Sequence, residues 1–119
     1  MKESDVILAP LSQVDEELKY RPAIVLREMP IPYRDLLVCG VSTNLNQYIR
    51  AFDDIISPTD VDFILSGLRS ESLIRLSFLA VIPRRLVRGT IGSISEERHK
   101  RLLQRLVDYL TSSNDDLLA

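Results

Sequence analysis

Arg21 stands directly before Pro22, between a polar loop that carries Glu16 and Glu17 and the apolar stretch Ala23–Leu26. Proline biases the residue before it toward extended backbone, so the base of the arginine is held as it enters a strand. A planar fork of N–H donors held in this way suits a phosphate, and an ion pair with Glu16 or Glu17 is the competing use. Ser42 and Thr43 follow the apolar run LLVCGV, where hydroxyls emerge into a loop. They can add donors to a bound anion or, with Asn44, serve ordinary turn chemistry at a strand end. Toward the C-terminus, Arg84, Arg85, Arg88, Arg98, Lys100, Arg101 and Arg105 form a basic cluster. It reads either as a solvated helix face or as a phosphate-binding patch.

Other chemistry finds less support. There is no Walker loop and no Gly-x-Gly-x-x-Gly. One cysteine, Cys39, and one histidine, His99, lie far apart, and the carboxylates show no ligand spacing, so no metal or other cofactor is implied. A Ser-His-Asp triad has no spacing to fix it. Cys39 sits inside an apolar run and reads as a buried structural thiol in a reducing compartment. His99 falls on the polar or boundary side of the last helix and reads as a surface or edge residue.

The elements that must position these groups come from hydrophobic patterning. Val6–Ala9 reads as a short strand stopped by Pro10, and Ser12–Tyr20 as a loop. Ala23–Leu26, Leu36–Val41 and Ser72–Ile82 read as further strands, with Asp54–Ile56 as a short edge strand. Asn44–Arg50 has no clear periodicity. In SPTDVDFILSG a short helix is expected, capped by Ser57, with Pro58 in its first turn, Asp60 and Asp62 near the positive end of its dipole and Gly67 ending it. RRLVRGTIGSIS is a strand or bend. Ser95 caps a last helix with Glu96 and Glu97 in its first turn, and Leu102, Leu103, Leu106, Val107 and Leu110 make its apolar face. Residues 112–119 are expected to fray.

A chain of 119 residues, 45% hydrophobic and without a linker or repeat, suits a single domain with an aliphatic core, since it has no Trp and few aromatics. The apolar run VILAPL is too short for a signal peptide or a membrane span, which points to a cytoplasmic protein without membrane contact. A net charge of −2 confines any nucleic-acid surface to a local patch.

The segments DVILAP, KYRPAIVL, LLVCGVST, DFILSGLRSESLIR and IGSISEERHKRLLQRL, in this order, resemble the MazF/PemK toxin family from about Asp5 to Leu110. RPAIVL is similar to the family's Arg-Pro-Ala strand, SESLIR to its Ser-x-x-Arg strand start, and IGSISEE to the Ile-Gly turn before its C-terminal helix. The resemblance implies a mainly β (α+β) fold, an SH3-like β-barrel with short helices and a C-terminal helix. It implies a homodimeric, metal-independent endoribonuclease acting on single-stranded RNA through 2′-OH attack on phosphate, neutralised by a cognate antitoxin protein. Arg21 then matches the phosphate-stabilising arginine, Ser42 the position of the catalytic threonine, and Glu16 a loop acid that assists in some members. Lys19, Thr43 and Arg75 would bind RNA beside them. Three features depart from the pattern: Ser4-Asp5 in place of Gly-Asp, Ser42-Thr43 in place of Thr-Ser, and a pI near 5.4. They leave a second reading open, an SH3-like binding module that holds an antitoxin or another protein and breaks no bond.

Overall fold

Period-two alternation builds a sheet that is buried on both faces. The computed structural model describes residues 1–12 and 18–113. Strands β1 (Asp5–Ser12), β2 (Leu18–Glu28), β3 (Leu36–Ser42), β4 (Asp54–Ile56), β5 (Ser72–Ile82) and β6 (Gly89–Ser93) form one six-stranded sheet in the order β4-β5-β3-β2-β1-β6. All pairings are antiparallel. Ile24 and Leu26 of β2 join Cys39, Ile74 and Leu102 in one core cluster, while Ala23 and Val25 join Ile7, Ala9 and Val38 in the other. Neighbouring residues of one strand therefore go to opposite faces. Helix α2 (Glu96–Leu110) covers the first face through Leu102 and Leu106.

The expected barrel is present as a curled half-barrel with β4 and β6 at its edges. Register shifts at Val6/Ile7, Val25/Arg27 and Cys39/Gly40 supply the bends. The last leaves Leu76, Ser77 and Phe78 of β5 without partners on β3. The side chain of Asp53 takes up the freed backbone there, accepting from Ser77 N at 3.1 Å.

The strands from Leu36, Asp54 and Ser72 form where the sequence places them. Three elements differ. β1 runs through Pro10 to Ser12, because its ladder with β6 ends at Leu8 and no partner on that side needs a proline N–H. β2 begins at Leu18, so Lys19 and Tyr20 are in a strand and not in a loop. The expected helix from Ser57 is shorter: α1 spans Phe63–Ser66, following Asp62. Ser57 N donates to Asp60 Oδ2 at 2.8 Å and its hydroxyl donates to Glu71 Oε2 at 2.7 Å, which makes 57–60 a turn. Gly67 ends α1 with φ of 75°, as its type predicts. Short 3-10 turns occupy Leu45–Gln47 and Arg84–Leu86.

α2 starts as read, with Ser95 Oγ accepting from Arg98 N at 3.1 Å. Its apolar face does not stay buried to the end. Val107 is exposed, and Leu110 borders an open cavity with Ile49, Phe52, Leu79 and Tyr109. Among the described residues no helix is long and apolar enough to cross a membrane.

Candidate functional site

The register of the central strands collects the candidate residues. Ala23 on β2 lies opposite Gly40 on β3, and Gly40 lies opposite Arg75 on β5. Two residues further along their strands, past the end of the β2–β3 ladder, come Arg21 and Ser42, with Ser42 opposite Leu73. Opposed residues of an antiparallel ladder project to one face. Arg21, Ser42 and Arg75 thus share the face of Ala9 and Leu11, which lie opposite Arg21 and Lys19 on β1. Lys19 belongs to the same face.

A cleft of about 470 Å³ opens at this end of the sheet. Arg21, Ser42 and Thr43 line it together with Leu8, Pro22 and Val41, and Leu68–Ser70, Ser72 and Ile91 complete the lining. Lys19 and Arg75 are outside this lining. Arg75 lies with its guanidinium 5.8 Å from the centre of the Phe78 ring. Glu16 falls outside the described residues.

The donors in the cleft are available for an incoming acceptor. Nε of Arg21 is buried and makes no hydrogen bond, and the same holds for Nε of Arg75. Buried polar atoms in native proteins nearly always have partners, so the unpartnered Arg21 Nε beside the cleft suits an acceptor from outside. Ser42 Oγ accepts from Asn44 N at 3.0 Å, which leaves its own O–H to donate elsewhere. β3 ends at Ser42, so strand alternation no longer dictates the direction of Thr43, and both residues line the cleft.

A family model of PemK-like, MazF-like toxins of type II toxin-antitoxin systems matches residues 2–110. The chain belongs to this family. Its fold is also similar to a solved structure, the Mycobacterium tuberculosis toxin MazF-mt6, with a TM-score of 0.65 at 17% sequence identity over 92% of this chain and 98% of that one. No curated protein matches the chain in sequence.

In this MazF-like toxin the part of the cleft lining that precedes β5 escaped the sequence reading. Leu68, Arg69 and Ser70 come between α1 and β5, and only tertiary packing brings them to the cleft. The one local signal was Gly67 followed by an exposed basic residue in a serine-rich turn.

α2 is tied to β4 and to the segment that precedes α1. Arg98 is 5% exposed and donates from Nε to Asp62 Oδ2 at 2.8 Å, from Nη1 to Asp54 Oδ2 at 2.8 Å and from Nη2 to Asp60 Oδ2 at 3.0 Å. Ser95 N also donates to Asp62 Oδ2, at 3.0 Å. Burial alone would raise the Asp62 carboxyl, but the hydrogen bonds from Arg98 and Ser95 and the Arg98 charge outweigh it and hold the group at about 2. Burial would likewise lower Arg98, and the carboxylates of Asp62 and Asp54 instead keep it above its ordinary range. Arg101 Nη2 donates to Asp54 Oδ2 at 2.9 Å, and Arg105 Nη1 donates to Asp53 O at 2.7 Å. These arginines of α2 are thus neither a solvated face nor a phosphate patch. They tie the helix to α1 and β4, which is where Asp60 and Asp62 direct their charge instead of at the α1 dipole.

The remaining groups are structural. Cys39 is fully buried, and burial together with the nearby Asp53 pushes its thiol up to about 12, so it is no thiolate near neutral pH. His99 is buried and not at the surface, with Nε2 2.8 Å from Leu26 O. That contact requires the proton on Nε2. Among the described residues, no group of three His, Cys, Asp or Glu side chains converges as metal ligands would.

Proposed function

We propose that this MazF-like toxin is a metal-independent endoribonuclease that cuts single-stranded RNA in the cleft between Arg21 and Ser42. The observation that carries the reading is that Arg21 and Ser42 line one cleft, with a buried Arg21 Nε that has no partner and a Ser42 hydroxyl free to donate. In the reaction the ribose O2′ attacks the adjacent phosphorus and its proton passes to a base. The P–O5′ bond breaks and O5′ takes a proton, leaving a cyclic phosphate and a 5′-hydroxyl. Negative charge gathers on the phosphoryl oxygens as the new bond forms. Arg21 donates two hydrogen bonds to them and Ser42 a third, and a donor of this kind is worth about 10²–10³ in rate. Lys19, Thr43 and Arg75 flank this pair and bind the strand on either side. DNA lacks the 2′-OH and is not cut.

The protein acts as a homodimer in the cytoplasm, and a cognate antitoxin neutralises it. The exposed apolar side chains Leu79, Val81 and Leu110 support an assembly larger than the monomer. Incubating the purified protein with a long single-stranded RNA in EDTA, beside a 2′-O-methyl copy of that RNA, tests the activity. Cutting of the first and not of the second is the expected result. RNA that is retained but left intact would make the protein a binding module instead.

A further inference from the structure

We propose that Arg69 is a second phosphate-binding residue of the cleft and grips the phosphate next to the scissile one; this rests on the endoribonuclease reading above. Arg21 and Arg69 are the charged side chains that line the cleft, and no carboxylate among the described residues lines it with them. In a chain of net charge −2, this makes the cleft a local concentration of positive charge. Arg69 is exposed and has no hydrogen bond or ion pair among the described residues. Several other arginines toward the C-terminus are engaged: Arg84, Arg98, Arg101 and Arg105 are bonded to carboxylates or carbonyls, and Arg88 lies 3.9 Å from the centre of the Tyr20 ring.

The backbone that carries Arg69 is fixed on both sides. Leu68 N donates to Ser66 Oγ at 3.2 Å, and Ser72 Oγ donates to Ser70 O at 2.8 Å. Gly67 and Gly92 let the end of α1 approach β6 so closely that a Cβ on either would collide with the other's backbone neighbours, Ile91 O and Leu65 O. Arg69 is therefore presented on a rigid wall and not on a free loop. Arg21 and Ser42 satisfy one phosphate from the sheet side. A second cation in the same cleft, which Leu68 and Ile91 also line with apolar surface where a base can rest, fits the next phosphate of a polynucleotide.

Steady-state cleavage of one single-stranded RNA by wild type, Arg69→Ala and Arg69→Lys tests this, together with binding of the same RNA to Ser42→Ala and to the Ser42→Ala/Arg69→Ala double variant across a salt series. Arg69→Ala is expected to raise KM about tenfold with little change in kcat, as loss of one charge-assisted contact does. Arg69→Lys should recover most of the KM because the charge remains. The slope of log affinity against log salt should become shallower by about 0.7 in the double variant, the value for one phosphate contact on a single strand. Wild-type KM and slope in Arg69→Ala, with RNA still cut by the wild type, overturn this assignment alone and leave the cation to a protein partner. RNA left intact by the wild type overturns the endoribonuclease reading and this inference with it.

Discussion

Ser42 carries the most exacting requirement in the cleft, because a serine hydroxyl is less restrained about χ1 than the threonine the family places there. The hydrogen bond from Asn44 N supplies the missing restraint by fixing the oxygen and leaving the proton to point elsewhere. Thr43 lies beyond the end of β3 and is exposed. Ser42→Ala should therefore lower RNA cleavage by about 10²–10³, the loss of one donor to the developing charge, while Thr43→Ala stays close to wild type. Both variants assayed on one RNA decide the matter, and the reverse ranking would move the hydroxyl to Thr43. At this scale the R-P-A sequence singled out Arg21 as a candidate, since Pro22 sets the backbone locally, but an ion pair with Glu16 or Glu17 explained it as well, and its proposed role came from the family resemblance. Ser42 needed the family resemblance, because a hydroxyl after an apolar run has a turn explanation just as good. Arg69 was not legible at all, for its role depends on Gly67 and Gly92 bringing α1 against β6 across a long stretch of sequence.

α2 shows where periodicity succeeds and where it misleads. Its cap, its start and its apolar stripe through Leu106 follow from sequence spacing. Arg98 counts as polar in any such pattern and is nevertheless buried, because the carboxylates that neutralise it come from β4 and from the segment before α1. His99 is buried for a related reason, having found a carbonyl on β2. A buried pair of this sort holds stability as a function of pH. Asp62 is held at about 2 against an ordinary 3.8. Its folded pKa is depressed, so its contribution is fully present above pH 4 and is lost as pH falls toward 2. Asp62→Asn should cost about 2 kcal/mol at neutral pH, and the gap to wild type should close between pH 4 and pH 2. Urea unfolding of both proteins over that range measures it. A gap that stays constant with pH would mean that the charge of Asp62 contributes nothing and that the variant fails for steric reasons. The same loss would loosen the wall that carries Leu68–Ser70, so cleavage should weaken together with stability.

For the molecule as a whole, an acidic pI near 5.4 is at odds with an RNA partner until the charges are located. Arg98, Arg101 and Arg105 of α2 are matched to Asp54, Asp60 and Asp62, and among the described residues no carboxylate lines the cleft with Arg21 and Arg69. Bulk composition could bound the size of the domain and its aliphatic core, but it could not show this separation, which exists only after folding. It also could not show that Leu79, Val81 and Leu110 remain exposed. Light scattering at micromolar protein should accordingly report about twice the 13.6 kDa chain mass, and a monomer that cuts RNA would contradict the dimer. The central claim is that Arg21 stabilises a phosphate under attack by a 2′-OH. Arg21 is half-buried at the edge of the cleft, so its removal should leave the fold intact. The most direct measurement is mass analysis of the ends produced from one single-stranded RNA in EDTA by wild type and by Arg21→Ala, with circular dichroism of both proteins alongside. Wild type should leave cyclic phosphate and 5′-hydroxyl ends, and a folded Arg21→Ala should leave the RNA uncut; cleavage by the variant at the wild-type rate would contradict the account.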